Sequence, residues 1–206
     1  MNIKRVLAVL IAMTLFSFAA SAQMLKTSVG VTGGGIATML MGGDIPYVTS
    51  PMYMNGYGGA FATVNYGDHL GFRAGLNYSQ QGSSHQIQST NLTAKQSYLN
   101  IPLTFMYHVK SFISVEAGLY QNVLLSSSMN EKGAENIVIS PDEGALKYNI
   151  GASAGLSINF GRLIFVDVKY NHGLSKAYVI NGVGYSASSV TLGIGVNIIS
   201  TKKTAF

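Results

Sequence analysis

The chain contains no cysteine. That excludes a disulfide framework, and it excludes the lipid-accepting cysteine of a lipoprotein. Charge is scarce as well: Asp, Glu, Lys and Arg make up 10% of the 206 residues, against about 25% in an ordinary soluble domain. A fold coated by water on every side needs more, so something other than water faces much of this surface. The formal net charge is +5, part of which is Lys4 and Arg5 at the start, and the remaining charges are scattered. With no basic patch or stripe, nucleic acid is excluded as a partner. Beyond residue 22 no uninterrupted apolar run approaches the roughly 18 residues of a membrane helix, which argues against an inner-membrane protein. The four histidines are scattered and give no metal-ligand spacing, and no cofactor is implied. Gly33-Gly34-Gly35 is not followed by a helix or a Lys-Ser/Thr pair, so it is not a phosphate loop.

What is present begins with a secretory signal over Met1–Ala22. Lys4 and Arg5 supply its positive end, Val6 to Ala19 its apolar stretch, and Ala20-Ser21-Ala22 the small residues a signal peptidase reads. Cleavage is expected between Ala22 and Gln23, leaving 23–206 as a single domain.

In that domain the dominant period is two. Leu70, Phe72, Ala74, Leu76 and Tyr78 alternate with Gly71, Arg73, Gly75 and Asn77, as a strand with one apolar face must. The same pattern runs through Leu99–Tyr107, Ile113–Leu119, Tyr148–Phe160, Ile164–Tyr170 and Val190–Ile198. Segments around Lys26–Met39 and Tyr53–Tyr66 complete a set of eight, although a Gly-rich run blurs the two faces of the latter. Connections alternate between long (about Met41–Met52, Gly82–Lys95, Ser127–Ala145, Gly173–Ser186) and short (Gly67-Asp68-His69, Lys110-Ser111, Gly161-Arg162). Tight turns at one end and long loops at the other belong to an outer-membrane barrel. The fold class expected is therefore all-β, an eight-stranded antiparallel up-and-down transmembrane β-barrel of a Gram-negative outer membrane, whose closure leaves no unpaired edge in lipid.

Alternation alone does not separate this barrel from a water-soluble one. The placement of charge does. Lys26, Arg73, Glu116, Lys147, Asp167 and Lys169 all fall on the parity opposite the bulky apolar residues, among Gly, Ser, Asn and Thr. Small polar groups suit a cramped interior, and Leu, Ile, Val and Phe suit hydrocarbon. Tyr53, Tyr57, Tyr78, Tyr98, Tyr148 and Tyr170 near the loops, with Tyr66 and Tyr107 near the turns, resemble the aromatic girdles of such barrels. Eight strands enclose just enough space for side chains. Arg73, Glu116 and Asp167 lie at similar heights above the turns and Lys169 one pleat further, so an ion-pair network across the lumen is expected. Separate hydration of each charge by trapped water is the alternative.

Four segments resemble the PorT-like outer-membrane β-barrel family: Tyr78-Ser79-Gln80-Gln81-Gly82, Tyr98-Leu99-Asn100-Ile101-Pro102-Leu103, Glu116-Ala117-Gly118-Leu119-Tyr120 and Tyr170-Asn171-His172-Gly173-Leu174. With their flanks they cover most of Gln23 to Ile199. The resemblance implies a small outer-membrane barrel, some of whose relatives are linked to a protein-secretion and gliding apparatus. The shared segments look architectural, and the terminal Phe206 departs from the family pattern by lying beyond the last strand.

No catalytic machinery stands out. His172 and Ser175 lie at the loop-side rim, where some eight-stranded barrels carry a lipid hydrolase, and Glu131, Glu135, Asp142 or Glu143 could orient the histidine. His108 reads as a satisfied lumen histidine. The leading expectation is a non-enzymatic barrel with a side-chain-plugged lumen, whose loops bind an envelope or secretion protein, a surface polymer or a ligand. A narrow porin-like channel and a rim hydrolase are the alternatives. The partners this implies are outer-membrane lipid and the machinery that assembles barrels.

Overall fold

The alternating segments become strands whose apolar faces all lie on one side of a closed sheet. The computed structural model describes residues 25–41, 53–87, 90–131, 146–180 and 183–200. The strands are β1 (Leu25–Met41), β2 (Tyr53–Tyr66), β3 (Leu70–Ile87), β4 (Thr90–Lys110), β5 (Ile113–Glu131), β6 (Tyr148–Phe160), β7 (Ile164–Gly173), β8 (Tyr178–Ile180) and β9 (Val183–Ser200). Each pairs antiparallel with its neighbour along the chain from β1 to β7. Then β7 pairs with β9, and β9 pairs with β1 to close the ring. The barrel therefore has eight strands, and the three-residue β8 adds only a small hairpin to the start of β9. The signal at Met1–Ala22 with its Ala22/Gln23 junction, and Phe206, lie outside the described residues.

Two of the three short turns are made where glycine permits them. Gly67 and Gly161 adopt φ of 62° and 68°, a left-handed conformation that costs glycine little and most residues much. The long connections are shorter than the sequence reading made them. β3 and β4 stay paired from Gly82↔Lys95 to Ile87↔Thr90, so the stretch Gly82–Lys95 is mostly ladder rather than loop. β5 likewise runs on to Glu131, paired with Leu92, and the Gly173–Ser186 connection contains β8 and the start of β9. These extensions are rich in Ser, Gln and Asn, so no apolar alternation marks them as strand.

Outside, the barrel is inverted relative to a soluble protein. Phe72, Leu103, Leu119, Leu156, Leu192, Ile194 and Ile198 are all more than half exposed, a continuous apolar belt that water does not tolerate. Inside, the bulky residues sit at chosen levels. Phe61, Tyr98, Met106, Tyr120, Leu124 and Phe165 are buried, so the lumen is not lined by small polar groups alone. Tyr98 and Tyr57 are corrections to the girdle assignment. Tyr98 is 1% exposed and packs on Leu124, and Tyr57 lines the lumen. Tyr66, Tyr78, Tyr107, Tyr148 and Tyr170 are exposed on the outer face.

Candidate functional site in the barrel lumen

From the turn end upward, the lumen is organised in layers. The lowest is a hydrogen-bonded floor around His108, whose Nδ1 lies 2.6 Å from Ser114 Oγ and whose Nε2 lies 3.0 Å from Asn65 Oδ1. Asn159 Nδ2 donates to the same serine oxygen at 3.2 Å. β2, β4, β5 and β6 each contribute one residue, so the floor ties together strands from much of the circumference.

Above it the four strand charges meet. Arg73 Nη1 lies 3.3 Å from Glu116 Oε1 and 3.9 Å from Asp167 Oδ2; Lys169 Nζ lies 3.0 Å from Glu116 Oε2 and 3.2 Å from Asp167 Oδ2. Two cations and two carboxylates thus alternate in a quartet with no formal net charge. The carboxylates are nearly inaccessible, with Glu116 and Asp167 side chains 1% and 3% exposed. Charges so desolvated are tolerable only when paired and hydrogen-bonded. Arg73 is held on its other faces by aromatic rings: its guanidinium carbon lies 4.1 Å from the centre of Phe165 and 5.2 Å from that of Phe61. These two rings meet edge to face at 5.3 Å. Cation–π contact and ion pairing therefore fix one side chain across the middle of the barrel.

The rings fit because glycines face them. A β-carbon on Gly195 would overlap the Phe165 ring, and one on Gly193 would overlap the Tyr57 hydroxyl. Bulky on one wall and bare backbone on the other is how a tapering lumen is filled. Sequence reasoning missed Phe61, Phe165, Tyr57 and Tyr120 as lumen residues. Their parity, opposite to the belt, is the signal that identifies Phe165 and Tyr120.

Above the quartet, on its loop side, lies a polar layer. The register aligns Asn77 with Asn100, Asn100 with Asn122 and Asn122 with Asn149, putting an asparagine at one level on four adjacent strands. Asn100 Nδ2 donates to Asn122 Oδ1 at 2.6 Å, and Asn122 Nδ2 to Asn149 Oδ1 at 2.9 Å. Asn77, Asn100 and Asn122 border a cavity of about 80 Å³ whose wall includes Tyr57 and Tyr120 and whose base includes Lys169. A second cavity of about 40 Å³ continues down beside Asp167 to the Phe61–Phe165–Arg73 layer.

Lys26, another strand charge read from the sequence, is not in the quartet. Its Nζ bonds Asp68 Oδ1 at 2.8 Å at the turn end, where both are exposed. Lys147 stands at the loop end, 5.8 Å from the Tyr148 ring centre. The structure does not bring His172 and Ser175 together. His172 Nδ1 lies 3.1 Å from Ser188 Oγ and 3.4 Å from the Tyr170 hydroxyl. Ser175 Oγ instead accepts from the Ile150 backbone N–H at 2.8 Å and donates to the Ile150 carbonyl at 3.4 Å. A nucleophile has to reach its base, and this serine is engaged as a strand-end cap. Glu135, Asp142, Glu143 and the Glu131 side chain lie outside the described residues.

Residues 18–179 match the family described as "Outer membrane protein beta-barrel domain". Among solved structures, Neisserial surface protein A aligns over 84% of this chain and 99% of that one, with 13% identity and a TM-score of 0.56. Ail, the attachment invasion locus protein of Yersinia pestis, aligns over 84% of this chain and 98% of that one, with 14% identity and a TM-score of 0.46. No curated protein matches the chain. At such identities the likeness to Neisserial surface protein A concerns the fold: a closed, eight-stranded antiparallel barrel.

Proposed function

Because this chain belongs to the outer membrane protein beta-barrel domain family and lies in the Gram-negative outer membrane, we propose that it is a sealed, non-enzymatic barrel. In this reading the membrane-spanning part is a rigid stand, and the loop-side face is the working surface, engaging an envelope or secretion-associated protein. The observation that carries the reading is the layer in which Arg73 is clamped by Phe61, Phe165, Glu116 and Asp167. Side chains on four strands converge there, and displacing Arg73 would leave two buried carboxylates to Lys169 alone. The PorT-like character is supported by the segments quoted above. All four supply lumen residues, Ser79 and Gln81, Asn100 and Pro102, Glu116 and Tyr120, and Asn171, which gives those motifs a structural reason for their composition.

A narrow channel is the second reading. It is favoured by the two successive cavities that lead from the loop side to the Arg73 layer. Planar-bilayer recording separates the two. Purified, folded protein inserted into a lipid bilayer is expected to give no stable single-channel steps. Reproducible steps of uniform size would establish the channel and discard the sealed barrel.

A further inference from the structure

The quartet and the aromatic layer close the lumen from below, but the lumen above them is built as a cup. We propose that this cup, on the loop side of the quartet, binds one neutral polyhydroxylated molecule the size of a single sugar ring. The inference rests on the sealed-barrel reading in one respect, since the cup needs a floor.

Three features of the cup point to that chemistry. The first is its complement of hydrogen-bonding groups. The arc of Asn77, Asn100 and Asn122 presents side-chain amides, each of which donates and accepts at once, as adjacent hydroxyls on a sugar do. Along the arc the donors run in one direction, from Asn100 to Asn122 and on to Asn149. At its other end Asn77 Oδ1 is buried with no hydrogen-bond partner among the described residues. A buried acceptor left unmade costs free energy that a ligand hydroxyl recovers.

The second feature is electrostatic. Lys169 stands at the base of the cup, but its ammonium is engaged by Glu116 at 3.0 Å and Asp167 at 3.2 Å. The quartet beneath is balanced, two against two, so the cup has no net charge to attract an ion. An anionic ligand would compete with two fixed carboxylates for the lysine, and a cationic one would be repelled by it. A neutral ligand meets neither cost, and the ammonium carries three donors while two carboxylates engage it.

The third is shape. Tyr57, Tyr120 and Pro102 contribute flat apolar surface to the wall, suited to the C–H face of a saturated ring. A cavity of about 80 Å³ exceeds several-fold the roughly 10–15 Å³ that one water needs. The larger ends of a polymer are excluded by the barrel wall, so one ring enters at a time.

The test is a titration of the full folded protein in detergent micelles, read by calorimetry and by the side-chain amide resonances of Asn77 and Asn122. Probes are methyl glucoside, N-acetylglucosamine and myo-inositol as neutral ligands, with gluconate and glucosamine as charged controls. Saturable binding of at least one neutral probe, tighter than either charged control and moving the Asn77 and Asn122 amides, is expected. Asn77→Leu should weaken it about tenfold, the worth of one hydrogen bond to a buried acceptor. Ser153→Leu, which fills the cup from β6 without touching the asparagine arc, should abolish it. Both variants are checked for retained heat-modifiable mobility, the gel signature of a folded barrel. If no neutral probe binds, if a charged control binds more tightly, or if binding survives Ser153→Leu in a folded barrel, the proposal is overturned. Bilayer recording on the same preparation keeps the outcomes apart: conductance steps count against the sealed barrel, whereas absent sugar binding with a silent bilayer counts against the cup alone.

Discussion

Lys169 Nζ stands 3.0 Å from Glu116 Oε2, joining β7 to β5 across the lumen. Neither residue is near the other in sequence, and the contact passes over Gly155 of β6, which is in register with both. Glu116 is also the carboxylate that Arg73 reaches at 3.3 Å, so it pairs with both cations of the quartet.

Glu116→Leu leaves two cations sharing Asp167 and is expected to destabilise the barrel by about 3 kcal/mol or more, the scale for breaking a buried pair from one side. Lys169→Met should cost less, because Arg73 still serves both carboxylates. The double variant Glu116→Leu with Lys169→Met should recover part of the loss, since no charge is then left alone. Urea unfolding in lipid vesicles, arranged as a double-mutant cycle, measures the coupling. Strict additivity would mean that the charges are separately hydrated.

Gly195→Ala tests the fit of ring against backbone. The added methyl meets the Phe165 ring and should destabilise by about 1–3 kcal/mol, the usual cost of overpacking. Phe165→Leu in the same chain should relieve part of it. Failure of the second substitution to help would place the Phe165 ring elsewhere.

Much of this architecture is legible in the sequence, and the reasons are local. Leu70 to Tyr78 and Tyr148 to Phe160 alternate strictly because hydrocarbon lies on one side and a narrow lumen on the other. Arg73, Glu116, Asp167 and Lys169 stand out because a charge on the inner parity of a membrane strand has so few places to go. The upper ends of β3, β4 and β5 are not legible. The apolar alternation ends there, and the stretch Gln80–Ser97 has no apolar side to reveal its period. The inward turn of Tyr57 is hidden by glycines on either side of it, which remove the contrast between faces. Tyr98 lies beside a register irregularity at Ser97/Tyr98, where the strand's alternation is interrupted. The aromatic layer became visible only with the sheet closed, because the glycines that admit Phe165 and Tyr57 come from β9, and those two rings from β7 and β2.

Orientation can be read from stability. Leu103 is 60% exposed on the outer face, and Leu103→Arg should cost about 2–4 kcal/mol if it lies near the bilayer midplane. Asn100→Arg, three residues away on the lumen side, should cost less. Equal losses in an assembly or unfolding assay would contradict the assignment of faces.

For the rim, mass spectrometry of lipid A and phospholipids from cells with and without the chain is expected to show no difference. A lipid species that appears with the wild type and vanishes in His172→Ala would restore the hydrolase reading, with Ser188, the hydroxyl His172 touches, as the residue to examine next.

The most direct test of the whole account is labelling of single introduced cysteines, for which the absence of any natural one leaves a clean background. Leu119→Cys and Ser153→Cys are placed separately in the folded barrel in lipid vesicles. The account predicts that a small, uncharged, water-borne thiol reagent modifies Cys at 153 and spares Cys at 119, while a fluorophore at 119 is quenched by brominated acyl chains. Protection at 153 together with aqueous reactivity at 119 would turn the barrel inside out and contradict it.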